Sequence, residues 1–166
     1  MAVHDSIPSM LGESLPEMIL AADYSVNFRK DPKQWGASGC YGFPAALLLF
    51  SVADAIGSYV LGGKTRKHLD ILAHKDFYSL PLEKKAIDAI YKKYRNLLTH
   101  NAVLAPGVSL AIGTLHDAVV ESGRDGTYCI NLVPFLDTSK KAVLRFLKQK
   151  DVIVPSGKQL ANILNT

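Results

Sequence analysis

Residues 43–61, FPAALLLFSVADAIGSYVL, constrain this chain more than any other stretch. They carry one charge, Asp54, and no charged residue occurs from position 34 to position 53. So apolar a run must leave water, either inside a protein core or inside a bilayer. A carboxylate at mid-bilayer costs about 2.5 to 3.5 kcal/mol on insertion scales, and Gly36, Gly39, Gly42 and Pro44 interrupt the first half. The pattern therefore predicts a core helix over 42–61, with no membrane partner. Pro44 fits its first turn, where a missing N–H costs nothing, and Gly62-Gly63 stops it.

A length of 166 residues suits one domain with a core of ordinary size. Met10, Leu11, Leu15, Met18, Ile19 and Ala22 recur at helical spacing and predict a first helix over 9–24, with an interruption near Pro16. Residues 23–42 read as a long connection. A helix and turn are expected over 65–77. Ser79 reads as the N-cap of the next helix, with Glu83 in its first turns opposing the dipole. Ile87, Ile90, Tyr91, Tyr94, Leu97 and Leu98 then form the clearest amphipathic stripe in the chain. That helix should end between His100 and Pro106-Gly107.

Beyond Gly107 the pattern changes. Residues 108–112, 118–120 and 128–133 are short β-prone runs, and Arg124-Asp125-Gly126 is a turn signal. They predict a small antiparallel hairpin or a three-stranded patch. Asp137 or Thr138 should cap a last helix to about Gln149, and the tail after Asp151 should hold a short strand or helix. The fold class expected is mainly α: a bundle of four to five helices over about 9–106, a β-prone insertion over about 108–133 and a C-terminal helix over about 137–150.

Charge and cysteine content narrow the setting. A formal net charge of +4 permits a polyanionic partner without requiring one. Cys40 and Cys129 are far apart, form no CxxC pair and share no zinc spacing with histidines, which fits a reducing cytoplasm and predicts no metal. The first ten residues lack the basic start and apolar run of a signal peptide. Residues 36–42 lack the GxxxxGK[ST] spacing of a phosphate loop, so no nucleotide cofactor is expected there. His68, His74 and His116 share no metal spacing and read as surface residues. Lys84-Lys85 and Lys92-Lys93 lie on the polar side of the stripe helix, as a solvated face or a phosphate-binding surface. Lys140-Lys141 and residues 148–150 should cover the outside of the last helix.

The residues with the most chemistry close the stripe helix: Tyr94-Arg95-Asn96-Leu97-Leu98-Thr99-His100. Arg95 and His100 are five apart, about 140° around the axis and roughly 7.5 Å along it. Asn96 and His100, four apart, share a face. As last-turn cations, Arg95 and His100 would each gain about 0.3 to 1 kcal/mol from the helix dipole. Asp54 reads equally as a buried carboxylate bonded to a neighbouring helix or as a functional residue.

This element resembles the HEPN family of helical domains, found in many prokaryotic toxins and defence proteins. That family's signature is Arg, then four to six residues, then His, often with a polar residue directly after the Arg. Arg95, Asn96 and His100 fit it with four intervening residues, and the resemblance covers about 9–106. It implies a homodimer that brings two Arg/His motifs to one cleft and cleaves RNA without a metal or other cofactor. The ribose 2′-OH would attack the neighbouring phosphate and leave a 2′,3′-cyclic end. His100 would transfer the proton, a role that imidazole side chains fill around neutral pH. Arg95 would hold the phosphate and stabilise the transition state, Asn96 would orient either one, and Asp54 resembles the polar residue many members place nearby. The alternative implied is a non-catalytic module that binds RNA, a nucleotide or a protein. RNA and an antitoxin or other protein are the candidate partners.

Overall fold

The computed structural model describes residues 6–149 apart from Arg124. The element expected after Asp151 lies outside the described residues. The chain is mainly helical with one small sheet. In order come α1 (Ile7–Asn27), α2 (Pro32–Trp35), α3 (Gly42–Leu61), a 3-10 segment (Thr65–Ala73), α4 (Lys84–Ile90), a π turn (Tyr91–Arg95), α5 (Asn96–Asn101), β1 (Val108–Ala111), β2 (Val120–Ser122), β3 (Tyr128–Asn131) and α6 (Leu132–Gln149).

The apolar run forms the central helix, with the bounds expected of it. In α3, Ala45, Ala46, Leu49, Phe50, Val52, Ala53 and Ile56 are buried, packed between α1, the 3-10 segment and α6. By length and composition α3 would also cross a bilayer; in this fold one side of it packs against its neighbours, while Phe43, Tyr59 and Leu61 are exposed. Gly62 and Gly63 both take positive φ, 62° and 79°, and end the helix as expected. Phe50 joins the layers: its ring meets Tyr94 at 6.0 Å and Phe135 of α6 at 5.1 Å.

Helix α1 is not interrupted at Pro16; it runs unbroken from Ile7 to Asn27. Leu15, Ile19, Ala22 and Val26 are buried along one face, and α1 packs against α3 and α6. Packing of this kind outweighs the cost of about 3 kcal/mol for an interior proline. The connection after α1 is less open than expected, because it contains the one-turn α2.

Ser79 does not cap the next helix. It sits at φ 54°, and α4 begins at Lys84 after an extended stretch. Pro81 explains the delay, since the residue before a proline is pushed out of helical conformation.

Neither Asp137 nor Thr138 caps the last helix, which starts at Leu132 directly from β3. The first turn has little need of a side-chain cap: Val133 N–H donates to the Ile112 carbonyl at 2.9 Å, and Pro134 has no N–H to satisfy. Thr138 instead donates its hydroxyl to the Pro134 carbonyl, and Asp137 pairs with Lys141. Lys140 does not lie on the outside. Its side chain is mostly buried and reaches Asp23 of α1 at 2.6 Å.

The β-prone runs make a three-stranded sheet with spatial order β1-β3-β2. Strands β2 and β3 form the antiparallel hairpin, registering Val120 with Ile130, and Gly126 at φ 70° lies in its turn. β1 pairs with β3 in parallel, Val108 against Tyr128, which completes the three-stranded patch. Tyr94 fixes the sheet to the helices. Its fully buried hydroxyl lies 2.6 Å from the Tyr128 carbonyl and 3.1 Å from that of Ser109.

Candidate functional site

A one-residue irregularity decides where the motif residues point. The stripe helix continues from 84 to 101, but residues 91–95 form a π turn in which Asn96 N–H donates to the Tyr91 carbonyl. Such a turn takes in one residue more than an α turn. In an unbroken α-helix Arg95 would stand about 80° from Ile87; one extra residue brings it to within roughly 20° of that buried position. Arg95 is thereby turned into the bundle, toward α3.

There it meets Asp54. The Arg95 Nη2 lies 2.8 Å from Asp54 Oδ2, with the two side chains 13% and 19% exposed. The other face of the guanidinium rests over Tyr91, Cζ 5.6 Å from the ring centroid. A largely desolvated pair of this geometry is a strong charge-assisted contact. Asp54 is thus bonded to a neighbouring helix, and the donor is the motif arginine rather than a hydroxyl or amide.

His68 joins the pair, contrary to its expected surface position. The residue is 8% exposed, on the 3-10 segment. Its Nδ1 lies 3.5 Å from Asp54 Oδ1 and its Nε2 lies 3.4 Å from the Gly63 carbonyl. Both ring nitrogens face acceptors, so a neutral imidazole serves one of them and an imidazolium serves both. Asp54 Oδ1 and His68 Nδ1 are buried with no closer partner among the described residues. Gly57 permits this approach: a Cβ there would stand 2.0 Å from the His68 carbonyl oxygen. That glycine, inside an otherwise apolar helix three residues after Asp54, was the sequence signal for a close crossing.

The Arg95–Asp54 pair forms one wall of a groove of about 560 Å³ between α1, α3 and α5, which Ile7, Leu11 and Thr99 also line. Thr99 donates its hydroxyl to the Arg95 carbonyl at 2.8 Å.

His100 lies outside this groove, exposed in the last turn of α5. The helix ends directly after it, with Ala102 in the left-handed region as C-cap. Arg95 closes the π turn and α-helical geometry follows it, so the separation of about 140° expected between Arg95 and His100 persists. Asn96, half-buried, opens α5 on the same face as His100. Within one chain, the fold brings Arg95 to Asp54 and His68 and leaves Asn96 and His100 on the adjoining surface.

Comparison with protein-family models, curated proteins and solved structures found no match to this chain.

The basic run on the stripe helix is partly committed. Lys84 pairs with Asp70 and with Asp88, which Arg66 also holds at 2.9 Å. That guanidinium keeps the Asp88 carboxyl below its ordinary pKa. Lys93 lies over the Tyr128 ring at 5.4 Å, while Lys85 and Lys92 are exposed. Among the described residues, no three His, Cys, Asp or Glu side chains gather as a metal site would need.

Proposed function

We propose that this chain is a metal-independent RNA endonuclease of HEPN type that acts as a homodimer. The observation that carries the reading is the placement of Arg95 and His100 at the end of one helix. Asp54 holds Arg95 rigidly at a groove wall, while His100 is solvent-accessible one turn further on. A permanently charged fork in a fixed position suits a scissile phosphate, and an accessible imidazole suits proton transfer.

His100 lies outside its own groove, so the site is composite. Ile7 and Met10 expose apolar surface on α1 beside the groove, where a second copy can pack. In the reaction, one His100 takes the proton of the ribose 2′-OH as O2′ bonds to phosphorus. The phosphorus–O5′ bond breaks, and the protonated His100 of the second copy gives its proton to O5′. The products are a 2′,3′-cyclic phosphate and a free 5′-hydroxyl. A role as a toxin or defence protein, regulated by an antitoxin or other partner, is the setting we attach to this activity.

One observation favours the second reading, a non-catalytic module. Asp54 already neutralises Arg95 at 2.8 Å, and its carboxylate opposes a second anion in the groove. The deciding experiment incubates purified protein with labelled structured RNA in EDTA, wild type beside His100→Ala. Cleavage by wild type alone, with cyclic-phosphate ends, is the expected result. Equal cleavage by both would remove His100 from the mechanism, and cleavage by neither would favour the binding module.

A further inference from the structure

A second surface, built from residues 24–41, has no part in the groove. Tyr24, Phe28, Tyr41 and Trp35 form a continuous ladder of rings. Tyr24 and Phe28 centroids are 6.0 Å apart, Phe28 and Tyr41 stack at 4.3 Å, and Trp35 meets Tyr41 edge-on at 5.6 Å. The inner rings are half-buried, while the two ends are exposed, Tyr24 at 65% and Trp35 at 52%. Trp35 takes no part in the hydrophobic core. The protein leaves its one tryptophan in water, and large apolar rings clustered on a surface mark an interaction site.

The loop beneath the rings is held in one shape. Lys30 N–H donates to the Gly39 carbonyl at 2.8 Å and Tyr41 N–H to the Ser25 carbonyl at 3.0 Å, which close its neck. Asp31 caps α2 by accepting from Lys33 N–H at 2.9 Å, and Gly36 at φ 68° ends it. Compact surface loops closed at the neck are frequently functional.

Its charge is cationic. Arg29, Lys30 and Lys33 stand against one carboxylate, Asp31, in residues 24–41. Asp23, just before the ladder, is neutralised by Lys140. The Lys30 ammonium lies 5.5 Å from the Trp35 centroid and 5.8 Å from that of Tyr41. Exposed ring faces with cations beside them are what unpaired bases and their phosphates require. Every base has a face to stack, and the backbone needs positive charge.

We propose that this ladder is a binding platform for single-stranded nucleic acid, with Trp35 and Tyr24 stacking bases and Arg29, Lys30 and Lys33 holding phosphates. The platform stands independently of the cleavage chemistry proposed above.

Trp35 is the sole tryptophan, so emission excited at wavelengths too long for tyrosine to absorb reports on this surface alone. The His100→Ala protein is titrated with oligo(U), oligo(dT), an RNA duplex of equal length and vesicles of mixed neutral and anionic phospholipid. Saturable quenching by single strands that weakens with salt, with little response to the duplex, is expected. Tighter binding of oligo(U) would name RNA as the ligand, and equal binding of oligo(dT) would name single strands of either sugar; both support the platform. By anisotropy of a labelled oligonucleotide, Trp35→Ala should weaken binding by about tenfold, and a Lys30→Gln/Lys33→Gln pair should flatten the salt dependence. Quenching by no oligonucleotide, or a blue shift with vesicles alone, overturns the proposal; the second outcome would assign the surface to a membrane. Loss of quenching beside intact cleavage by wild type would defeat the platform and spare the nuclease. Quenching without cleavage would do the reverse.

Discussion

Arg95 and Asp54, separated by 41 positions in the chain, meet at 2.8 Å in the body of the bundle. The one charge of the apolar helix is thereby cancelled by the motif arginine. The pair ties stability to the candidate site, because neither partner can be lost without leaving the other desolvated.

Asp54→Asn and Arg95→Gln should each lower stability by about 2 to 4 kcal/mol, since each leaves a mostly buried charge without its counter-ion. The double variant should be less destabilised than the two losses added together. Urea denaturation of all four proteins measures the coupling. Strict additivity would mean that the pair does not act as a unit.

Gly57→Ala should cost about 3 kcal/mol, toward the upper end for overpacking. The added Cβ would stand 2.0 Å from the His68 carbonyl oxygen, a backbone atom that no rotamer change relieves. Gly62→Ala, where nothing lies within 4 Å but φ is 62°, isolates backbone strain from crowding. A thermal melt should show the larger loss at Gly57.

Tyr94 links stability to alkaline pH. Burial pushes its pKa up to about 12, while an unfolded tyrosine titrates near 10. Between those values the unfolded state has released a proton that the native state retains, so stability falls as pH rises. Below about pH 10 both states are protonated and the effect vanishes. The loss should be about 1.4 kcal/mol per pH unit in that window. Denaturation at pH 9 and 11 should show a shallower decline in Tyr94→Phe than in wild type. At neutral pH that variant should lose about 1 to 2 kcal/mol with the anchor to the Tyr128 carbonyl.

The helical frame was legible because its signals are local. Uncharged residues bounded by Gly62-Gly63 marked α3, and the helical spacing of apolar residues from Ile87 to Leu98 marked the stripe helix. The element starts were misread where a neighbour supplied what a cap usually supplies. Ile112 met the Val133 N–H at the start of α6, and packing carried α1 through Pro16. His68 was read as surface because no local pattern surrounds it. Its burial comes from the crossing at Gly57, a residue eleven positions earlier.

By itself the sequence determined that 42–61 is an apolar helix with the single charge Asp54, that a stripe helix ends between His100 and Pro106-Gly107, and that short strands follow Gly107. Periodicity and composition are local properties, and they suffice for that. Only the tertiary structure decided that Arg95 turns inward and His100 outward. That outcome depends on the extra residue of the π turn and on how α3 crosses the helix carrying it. The pairing that results, Arg95 with the largely desolvated Asp54, joins segments 41 positions apart, and no local pattern carries it.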